Sequence, residues 1–359
     1  MKLLNRIVLK VLPTTVYDFL WRRTHYHVYS IRFDEAIRHF VLDKGITDID
    51  IVKKYRRKLV QAFVRDNWYP DEFFFFQYER LSREGIHEFV PNREAARFWN
   101  SLNSKDIYLL TCDKGQTYQF FKPFFKRDLL SFSDETTDSI SSFTAFIEKH
   151  PSFIVKPTFG NYGNGVKIIK VDRSNVLSQS LFHELISEYP KGFTVEELIK
   201  QCSELAAFHP SSVNTVRLTT VRQNNGEIYI IHRPFIRLGQ GGRCVDNGGN
   251  GGIIASIDYE TGIISGAIDE RMNRYVVHPD SGKTILGYHI PHWENAKSFV
   301  VKLARVLPDL NYCGWDLALT DEGWVMVEAN GKGLFIGFQM PTQMGFHDEF
   351  EEIKKMCNL

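Results

Sequence analysis

The sequence has few cysteines and no regular spacing among them. The five are scattered along the chain, at Cys112, Cys202, Cys244, Cys313 and Cys357. Because no C-x-x-C pair occurs, the sequence indicates neither a zinc site nor a disulfide framework. Reduced thiols are typical of the cytoplasm, so we expect a cytoplasmic protein.

Charge of one sign and long apolar runs are also missing. The 359 residues carry a formal net charge of +1, which creates no overall field that would attract nucleic acid, and we expect no nucleic-acid partner. No apolar run reaches the roughly 20 residues that a membrane-spanning helix needs. The twelve histidines show no H-E-x-x-H spacing, and no Ser-His-Asp or Cys-His pattern points to a covalent nucleophile.

What is present is a hairpin pattern near the end of the chain, from Tyr312 to Asn330, around the turn-forming residues Thr320 to Gly323. If the turn is centred on Glu322, Asp316 lies directly opposite Glu328, with their Cβ atoms roughly 4.5–5.5 Å apart. Asn330 shares that face. The other face is predicted to be core: Trp315, Leu317 and Leu319 against Val325, Val327 and Ala329.

The two acids on the polar face of this hairpin repel each other, and a cation between them removes the repulsion. Oxygen ligands from Asp, Glu and Asn suit Mg²⁺ or Mn²⁺ rather than Zn²⁺. The pattern therefore predicts a metal site at Asp316, Glu328 and Asn330. The alternative is a solvated strand face that carries two acids.

A glycine-rich loop, with Gly160, Gly163 and Gly165, joins a short apolar strand that ends at Lys156 to a second strand at Val166 to Val171. Its backbone N–H groups can cradle phosphate oxygens, and Lys156 would point a cation at them. No Gly-Lys-Ser/Thr follows and no helix begins there, which excludes a Walker loop and a Rossmann fingerprint. A glycine-rich hairpin without a ligand is the alternative.

Arg217 lies in the alternating stretch Val213 to Val221, and an arginine in a strand face normally has an anionic partner. Asn224 to Gly226 predicts a turn, with Glu227 to Arg237 as the return strand. The loop from Gly239 to Gly252 contains seven glycines around Asp246 and Asn247. So many glycines cost conformational entropy, which favours a loop shaped for the close approach of a ligand.

The first 105 residues are predicted to be mostly helical, because Ile31 to Phe40 and Ile51 to Phe63 have apolar residues at a spacing of three to four. Leu3 to Leu12 also repeats at helical spacing, with Lys2, Arg6 and Lys10 on its polar face. Such a helix can lie in a membrane interface, which would give peripheral membrane association through residues 1–27. A helix packed on its own domain or on a second copy is the alternative.

The glycine loop is followed in order by Val195–Glu197 (V-E-E), the strand arginine and the hairpin acids, and this order resembles the ATP-grasp superfamily. Four motifs are more specific: Asn214–Arg217 (N-T-V-R), Val245–Asn247 (V-D-N), Gly314–Asp316 (G-W-D) and Glu328–Asn330 (E-A-N). They resemble the sugar-transfer-associated ATP-grasp family, which occurs with bacterial surface-polysaccharide biosynthesis. The resemblance covers about residues 106 to 345. It implies an α+β fold, the ATP-grasp fold, in which two α+β subdomains grip ATP.

The implied domains are a mostly helical N-terminal region at 1–105, an ATP-grasp domain at 106–345 and a C-terminal helix at 346–359. Within the ATP-grasp domain, the glycine-flap subdomain would cover about 150–195 and the metal and acceptor subdomain about 196–345.

The resemblance also implies roles for single residues. The ATP phosphates would be bound by Lys114, Lys156, Gly160, Gly163 and Gly165. The adenine would be received by a hinge at Glu196, Glu197 and Leu198. Asp316, Glu328 and Asn330 would hold one or two Mg²⁺ ions, with Mn²⁺ as an alternative, and Arg217 would steady the γ-phosphate or an acyl-phosphate. The acid that often holds the ribose has no clear position, and Gln201 and Glu204 are the candidates.

The implied activity is that of an ATP-dependent carboxylate–amine ligase working through an acyl-phosphate. It would join an amino acid or amine to a uronic-acid-type carboxylate in surface-glycan synthesis, at the inner face of the membrane, with Asp246 and Asn247 at the acceptor site. One alternative is a kinase that phosphorylates a sugar hydroxyl, with Asp246 as its base. Another is a non-catalytic nucleotide-binding scaffold, against which the complete metal set argues.

Overall fold

The structure is a computed structural model that describes residues 14–160, 163–171, 178–242, 246 and 251–359. The chain divides into two compact units, one of Met1–Arg97 with Leu334–Glu351 and one of Phe98–Gly333 with Glu352–Leu359. These divisions differ from the domain boundaries expected from the sequence, which stay a prediction. The amphipathic segment Leu3 to Leu12 lies outside the described residues.

The described α-helices, in chain order, are α1 (Thr14–His25), α2 (Ser30–Phe40), α3 (Ile49–Asp66), α4 (Pro70–Phe75), α5 (Arg83–Glu88), α6 (Asn92–Leu102), α7 (Lys105–Cys112), α8 (Lys114–Phe125), α9 (Thr137–Lys149), α10 (Ser178–Glu188), α11 (Ser203–Ala206), α12 (Trp293–Ala304), α13 (Ile336–Gln339) and α14 (His347–Met356). Among them, none is both long enough and apolar enough to cross a bilayer.

The strands are β1 (Leu129–Phe132), β2 (Ser152–Pro157), β3 (Lys167–Lys170), β4 (Phe193–Glu197), β5 (Thr215–Arg222), β6 (Ile228–Ile230), β7 (Phe235–Leu238), β8 (Ile253–Ile257), β9 (Ile264–Asp269), β10 (Tyr312–Thr320) and β11 (Gly323–Asn330). They form two antiparallel sheets, and the helices and sheets together confirm the α+β class.

The first unit is helical, as predicted for the N-terminal region. Asp48 caps the N-terminus of helix α3. Its carboxylate accepts the N–H groups of Asp50 and Ile51 at 2.8 and 3.1 Å and so satisfies two free donors of the first turn. The dense aromatic residues pack inward, and the rings of Phe40 and Phe74 stack with their centroids 4.5 Å apart. The helices predicted at 31–40 and 51–63 are confirmed.

The smaller sheet has the strand order β1-β4-β2-β3. Helices α9 and α10 contribute Phe143 and Phe182 to a core that also contains Phe153 and Phe193 from the sheet. Strands β2 and β3 pair across the predicted glycine loop, in which Gly163 and Gly165 have φ angles of 70° and 72°. Strand, glycine loop and strand are therefore arranged as the sequence predicts.

The larger sheet has the order β11-β10-β5-β7-β8-β9, with β6 paired to β5. One of its faces contributes Trp315, Val216 and Leu218 to a core with α12. The single return strand predicted for Glu227 to Arg237 is wrong, because the chain leaves β5 after Ile230 and rejoins it as β7 at Phe235. Pro234 lies in the break, where it removes a ladder donor.

The predicted hairpin forms, and Asp316 lies opposite Glu328. The turn is nevertheless one residue tighter than predicted, since Thr320 pairs with Gly323, and a bulge then shifts the register between Asp316 and Leu317. Two predicted pairings are therefore wrong. Leu317 lies opposite Met326 rather than Val327, and Leu319 lies opposite Trp324 rather than Val325.

Candidate functional site

A pocket in the second unit gathers several of the predicted site residues. Its lining consists of Thr111, Lys114, Thr117, Phe125, Leu129, Lys156, Glu196, Val327 and Glu328. Four of these were selected from the sequence in separate segments: Lys114, Lys156, Glu196 and Glu328. Both sheets contribute to the lining, which places two lysines and two carboxylates around one space.

Lys114 connects the glycine loop to the hairpin. It opens α8, whose first turn is capped by the Asp113 carboxylate, which accepts the Gln116 N–H at 2.9 Å. Its Nζ donates to the Gly160 carbonyl at 3.0 Å and lies 3.6 Å from Glu328 Oε1. The ammonium group therefore sits where an anion entering between the loop and the hairpin would meet it.

Lys156 is paired with a buried acid. Its Nζ lies 2.8 Å from Glu196 Oε1, and Arg127 NH2 donates to Glu196 Oε2 at 2.7 Å. Burial by itself would raise the pKa of Glu196, but the two cations outweigh it and lower that pKa to about 2. The Glu196 carboxylate is thus ionised and already occupied.

The residues of the predicted hinge differ in which of their polar groups already have partners. Glu196 uses its side chain in ion pairs, and the Glu197 N–H donates to the Asp128 carbonyl at 2.9 Å. Leu198 is half-buried and follows the last residue of β4. A contact between the chain and an adenine at this hinge would therefore use backbone groups from Leu198 onward.

Asp316 is held by two arginines. Arg217 binds it through two hydrogen bonds, from Nε to Oδ1 at 2.6 Å and from NH2 to Oδ2 at 2.9 Å. Arg237 NH2 lies 2.6 Å from the same Oδ2. Burial would raise the pKa of Asp316, but the two guanidinium groups lower it to about 2. The anionic partner that the sequence predicts for Arg217 is thus Asp316.

Arg237 also belongs to the site, although no motif in the sequence identified it. It lies on β7 opposite Thr215, and its Nε donates to Thr215 Oγ1 at 3.0 Å. Burial would lower the pKa of Arg237, but Asp316 and Asp246 raise it above its usual value. The sequence contained a signal for this role, because Arg237 lies between the apolar residues Ile236 and Leu238. Like Arg217, an arginine in such a strand normally has an anionic partner.

Asp246 lies at the far end of this row of charges. Its Oδ2 accepts hydrogen bonds from the N–H and hydroxyl of Thr215, at 2.8 and 2.5 Å, and lies 3.9 Å from Arg237 Nε. Burial raises the pKa of Asp246, although Arg237 opposes the change. Asn247, also predicted at the acceptor site, lies outside the described residues.

The residues predicted to hold a metal present a donor set that fits Mg²⁺. Asp316 and Glu328 are cross-strand neighbours, and the Asn330 side chain lies beside them, with Nδ2 3.3 Å from Asp316 Oδ2. Two carboxylates and an amide oxygen are the hard donors that Mg²⁺ prefers. Glu328 is held less tightly than Asp316, because the Lys114 ammonium lies 3.6 Å from Glu328, whereas arginine nitrogens lie 2.6 Å from Asp316.

A second trio of ligand-type side chains lies elsewhere in the unit, at Asp128, His150 and Glu197. Asp128 Oδ2 lies 2.5 Å from Lys149 Nζ and 2.8 Å from His150 Nε2. These contacts lower the pKa of Asp128, and the lysine already neutralises the carboxylate. Nothing in this arrangement requires a metal.

The ribose candidates differ in availability. The Gln201 amide oxygen accepts the Asn214 N–H at 3.1 Å, and its nitrogen donates to the Ser212 carbonyl at 2.6 Å. Its side chain therefore braces the start of β5. Glu204 is exposed, with the Ser203 hydroxyl 3.0 Å from its carboxylate.

Comparison with protein families identifies one family. The model of a family described as sugar-transfer associated ATP-grasp matches residues 93–355. No curated protein sequence matches the chain.

Three solved structures with detectable similarity are all distant. D-alanine–D-alanine ligase from Helicobacter pylori is 15% identical, with a TM-score of 0.44 over 70% of this chain and 62% of its own. The ATP-grasp ligase PsnB, complexed with a minimal precursor, is 14% identical, with a TM-score of 0.41 over 87% and 76%. N5-carboxyaminoimidazole synthetase from Staphylococcus aureus, complexed with ADP, is 14% identical, with a TM-score of 0.36 over 62% of this chain and 44% of its own.

The Arg217 side chain occupies the space above Gly314. A Cβ added at Gly314 would lie 2.9 Å from Arg217 NH1 and 3.3 Å from its Cζ, so Gly314→Ala should push the guanidinium away from Asp316. Overpacking of this kind costs about 1–3 kcal/mol, which urea unfolding would measure. An Arg217→Lys background removes the guanidinium atoms NH1 and Cζ and leaves only the Cδ contact at 3.2 Å, so the same substitution should cost less. Equal costs in the two backgrounds would show that the guanidinium does not set the requirement for glycine.

Proposed function

The chain belongs to the sugar-transfer-associated ATP-grasp family, and on this premise we propose that it is an ATP-dependent carboxylate–amine ligase. The observation that carries the proposal is that one residue, Glu328, joins two groups of charged side chains. Glu328 lines the pocket that contains Lys114 and Lys156, and it also lies opposite Asp316, which binds Arg217 and Arg237. A triphosphate and a second anion would thus meet at this hairpin.

In the proposed complex, Lys114, Lys156 and the backbone of Gly160, Gly163 and Gly165 bind the phosphates of ATP. The adenine lies at the hinge formed by Glu196, Glu197 and Leu198, where backbone groups make the polar contacts. Support for this placement comes from the pocket, because Phe125, Leu129 and Val327 supply apolar walls beside the two lysines.

Asp316, Glu328 and Asn330 would hold one or two Mg²⁺ ions, or Mn²⁺ in their place. Such an ion, when bound, neutralises charge on the phosphates during transfer. Asp316 would then share its negative charge between the metal and its arginines, which frees part of their hydrogen-bonding capacity for a substrate anion.

The proposed reaction has two steps. A carboxylate oxygen of the acceptor attacks the γ-phosphorus of ATP, and the bond from phosphorus to the β–γ bridging oxygen breaks to release ADP. The amine then attacks the acyl carbon of the acyl-phosphate and loses a proton, and inorganic phosphate leaves as the amide forms. Arg217 and Arg237 would stabilise the negative charge of the transferred group, since buried guanidinium groups bind such oxygens with paired hydrogen bonds. Asp246 and Asn247 would line the acceptor site.

For the substrates, we propose a uronic-acid-type carboxylate of a surface glycan or its precursor, joined to an amino acid or other amine. The family's association with sugar transfer supports this choice. A kinase acting on a sugar hydroxyl is the second candidate, and Asp246 favours it. A buried carboxylate with a raised pKa beside an arginine suits a general base. A non-catalytic scaffold would need neither the metal set nor the paired arginines.

The nucleotide site is tested by thermal unfolding with Mg·ATP. A ligand at 100 times its Kd stabilises the native state by about 2.7 kcal/mol, so Mg·ATP should raise the Tm of the wild-type protein. Glu328→Gln should lose most of that rise. Glu322→Gln, an exposed change in the turn of the same hairpin, is the matched control and should keep it. A full shift in Glu328→Gln would contradict the metal assignment.

Ligase and kinase are separated by the dependence of ADP release on an amine. With a panel of uronic acids and amino acids, the ligase proposal expects steady ADP and phosphate release only when both substrates are present. A kinase would release ADP with the sugar alone and leave a stable sugar phosphate, which phosphorus NMR would detect. Asp316→Asn should lower either activity by at least about 10²-fold, because it removes a carboxylate that would hold the ion stabilising the transferred phosphoryl group.

We also propose peripheral membrane association through residues 1–27. On α1, Val16, Phe19 and Leu20 are 42%, 37% and 44% exposed, and their spacing places them on one side of the helix. Arg23 is exposed at the next position of that side. An apolar stripe beside basic residues suits an anionic lipid surface.

Vesicle flotation tests the membrane proposal. The protein should float with vesicles that contain anionic lipid and less with neutral ones, and Phe19→Glu with Leu20→Glu should abolish flotation. Val276→Glu, which alters a 61% exposed apolar residue of the second unit, is the control and should float like the wild type. Undiminished flotation of the double variant, or no flotation of the wild type, would contradict the proposal.

A further inference from the structure

The strand that carries Glu328 and Asn330 contains an extra residue directly before Glu328. In the pairing of β10 with β11, Asp316 faces Glu328 while the next residue, Leu317, faces Met326. Val327 therefore has no partner in this ladder. A bulge of this kind bends its strand and redirects the neighbouring side chains, so the direction of Glu328 depends on how the bulge is held.

The bulge is held by a buried arginine from outside the hairpin. Arg127 NH1 donates to the Met326 carbonyl at 2.6 Å, and its NH2 lies 3.4 Å from the Val327 carbonyl. The Arg127 side chain is only 4% exposed, and NH1 also donates to the Phe125 carbonyl at 3.3 Å. The guanidinium thus binds the two residues around which the register changes.

The same guanidinium is fixed on its other side by Glu196. Nε and NH2 of Arg127 donate to Glu196 Oε2 at 3.2 and 2.7 Å, while Glu196 Oε1 pairs with Lys156 at 2.8 Å. One carboxylate therefore joins the lysine of the glycine-flap strand to the arginine that braces the bulge. Lys156, Glu196, Val327 and Glu328 all line the same pocket.

We infer that Arg127 is a positioning residue for the metal site. By holding the bulge at Met326 and Val327, it sets the direction in which Glu328 faces the pocket, and through Glu196 it couples that direction to the lysine beside the nucleotide. The inference rests on the proposed nucleotide and metal function and adds a residue that touches neither ligand. Groups that orient metal ligands in this way typically change metal affinity by 10- to 100-fold when they are replaced.

Lysine cannot replace arginine in this role. Arg127 uses Nε and both terminal nitrogens at once, in a planar fork that spans a carboxylate and two strand carbonyls. A lysine ammonium is a compact charge on a flexible stem, so it can keep the pairing with Glu196 and lose the bulge. Arg127→Lys therefore preserves the buried charge while it removes the positioning.

The experiment measures how strongly a metal tightens nucleotide binding. The Kd of ADP is determined by calorimetry with saturating Mn²⁺ and again with EDTA. The Kd in EDTA divided by the Kd in Mn²⁺ gives the coupling between metal and nucleotide. Arg127→Lys should lower this ratio about tenfold, while the Kd of ADP in EDTA changes less than about threefold. Loss of stability alone would not change the ratio, because both measurements are made on the same folded protein.

Arg222→Lys is the matched control, since Arg222 also binds backbone carbonyls, at Ala304 and Gly226, but on the far end of β5. Its ratio should equal that of the wild type. Glu196→Gln is the second variant, and it should also lower the ratio, which tests the inference even if Arg127→Lys does not fold. Where Arg127→Lys folds, the double variant should lower the ratio no further than Arg127→Lys alone.

The outcomes separate the inference from the proposed function. If the wild-type protein binds Mn·ADP tightly and Arg127→Lys keeps the same ratio, the inference is wrong and the proposed nucleotide site stands. If the wild-type protein binds no ADP under either condition, the proposed function is wrong and the inference falls with it. A ratio lowered equally in Arg222→Lys would also overturn the inference, because any arginine that binds backbone carbonyls would then have the effect.

Discussion

A buried carboxylate is costly unless charged partners surround it, and Asp316 satisfies this condition with arginines from two different strands. Arg217 reaches it from β5 and Arg237 from β7, while Asp316 itself lies on β10. Removing one partner from a buried pair of this kind typically costs about 3–5 kcal/mol. These contacts therefore stabilise the arrangement of the three strands. They also fix the position of the hairpin that carries Glu328, since Asp316 is part of it.

The same rule governs the lysine end of the site. Lys156 is neutralised by Glu196, and Lys114 lies between the Gly160 carbonyl and Glu328. The cations proposed to bind a polyanion are thus already paired, so binding would exchange partners rather than bring unpaired charges together. Such an exchange would keep the empty site stable. Once Lys114 binds phosphate, Glu328 would be available to bind the metal.

Arg127 shows how a structural group can set the geometry of a functional one. A bulge is a local defect in a ladder, and its free carbonyls need donors when they are buried. Arg127 supplies those donors and is held in turn by the acid that pairs with Lys156. Arg127 therefore does two things at once: it binds the carbonyls of the bulge in β11, and it neutralises part of the charge in the pocket.

Much of the fold could be predicted from the sequence, because alternation and turn residues are local signals. They identified the helices of the first unit, the strands around the glycine loop, and the hairpin in which Asp316 faces Glu328. Short motifs were sufficient to identify the family, which the match over residues 93–355 confirms.

Within the site, the sequence by itself determined the candidates Lys156, Asp316 and Glu328, since each is marked by its place at a strand, loop or turn. Lys114 was identified only through the resemblance to the family. Only the tertiary structure decided that Arg237 shares Asp316 with Arg217, and that Arg127 braces Val327. These contacts join strands and loops that are distant in the chain, and no periodicity within one segment records them. The bulge escaped prediction for a related physical reason. A tighter turn and one extra residue cancel at Asp316 and Glu328, so the alternating pattern gives the correct pair while hiding the irregularity that orients it.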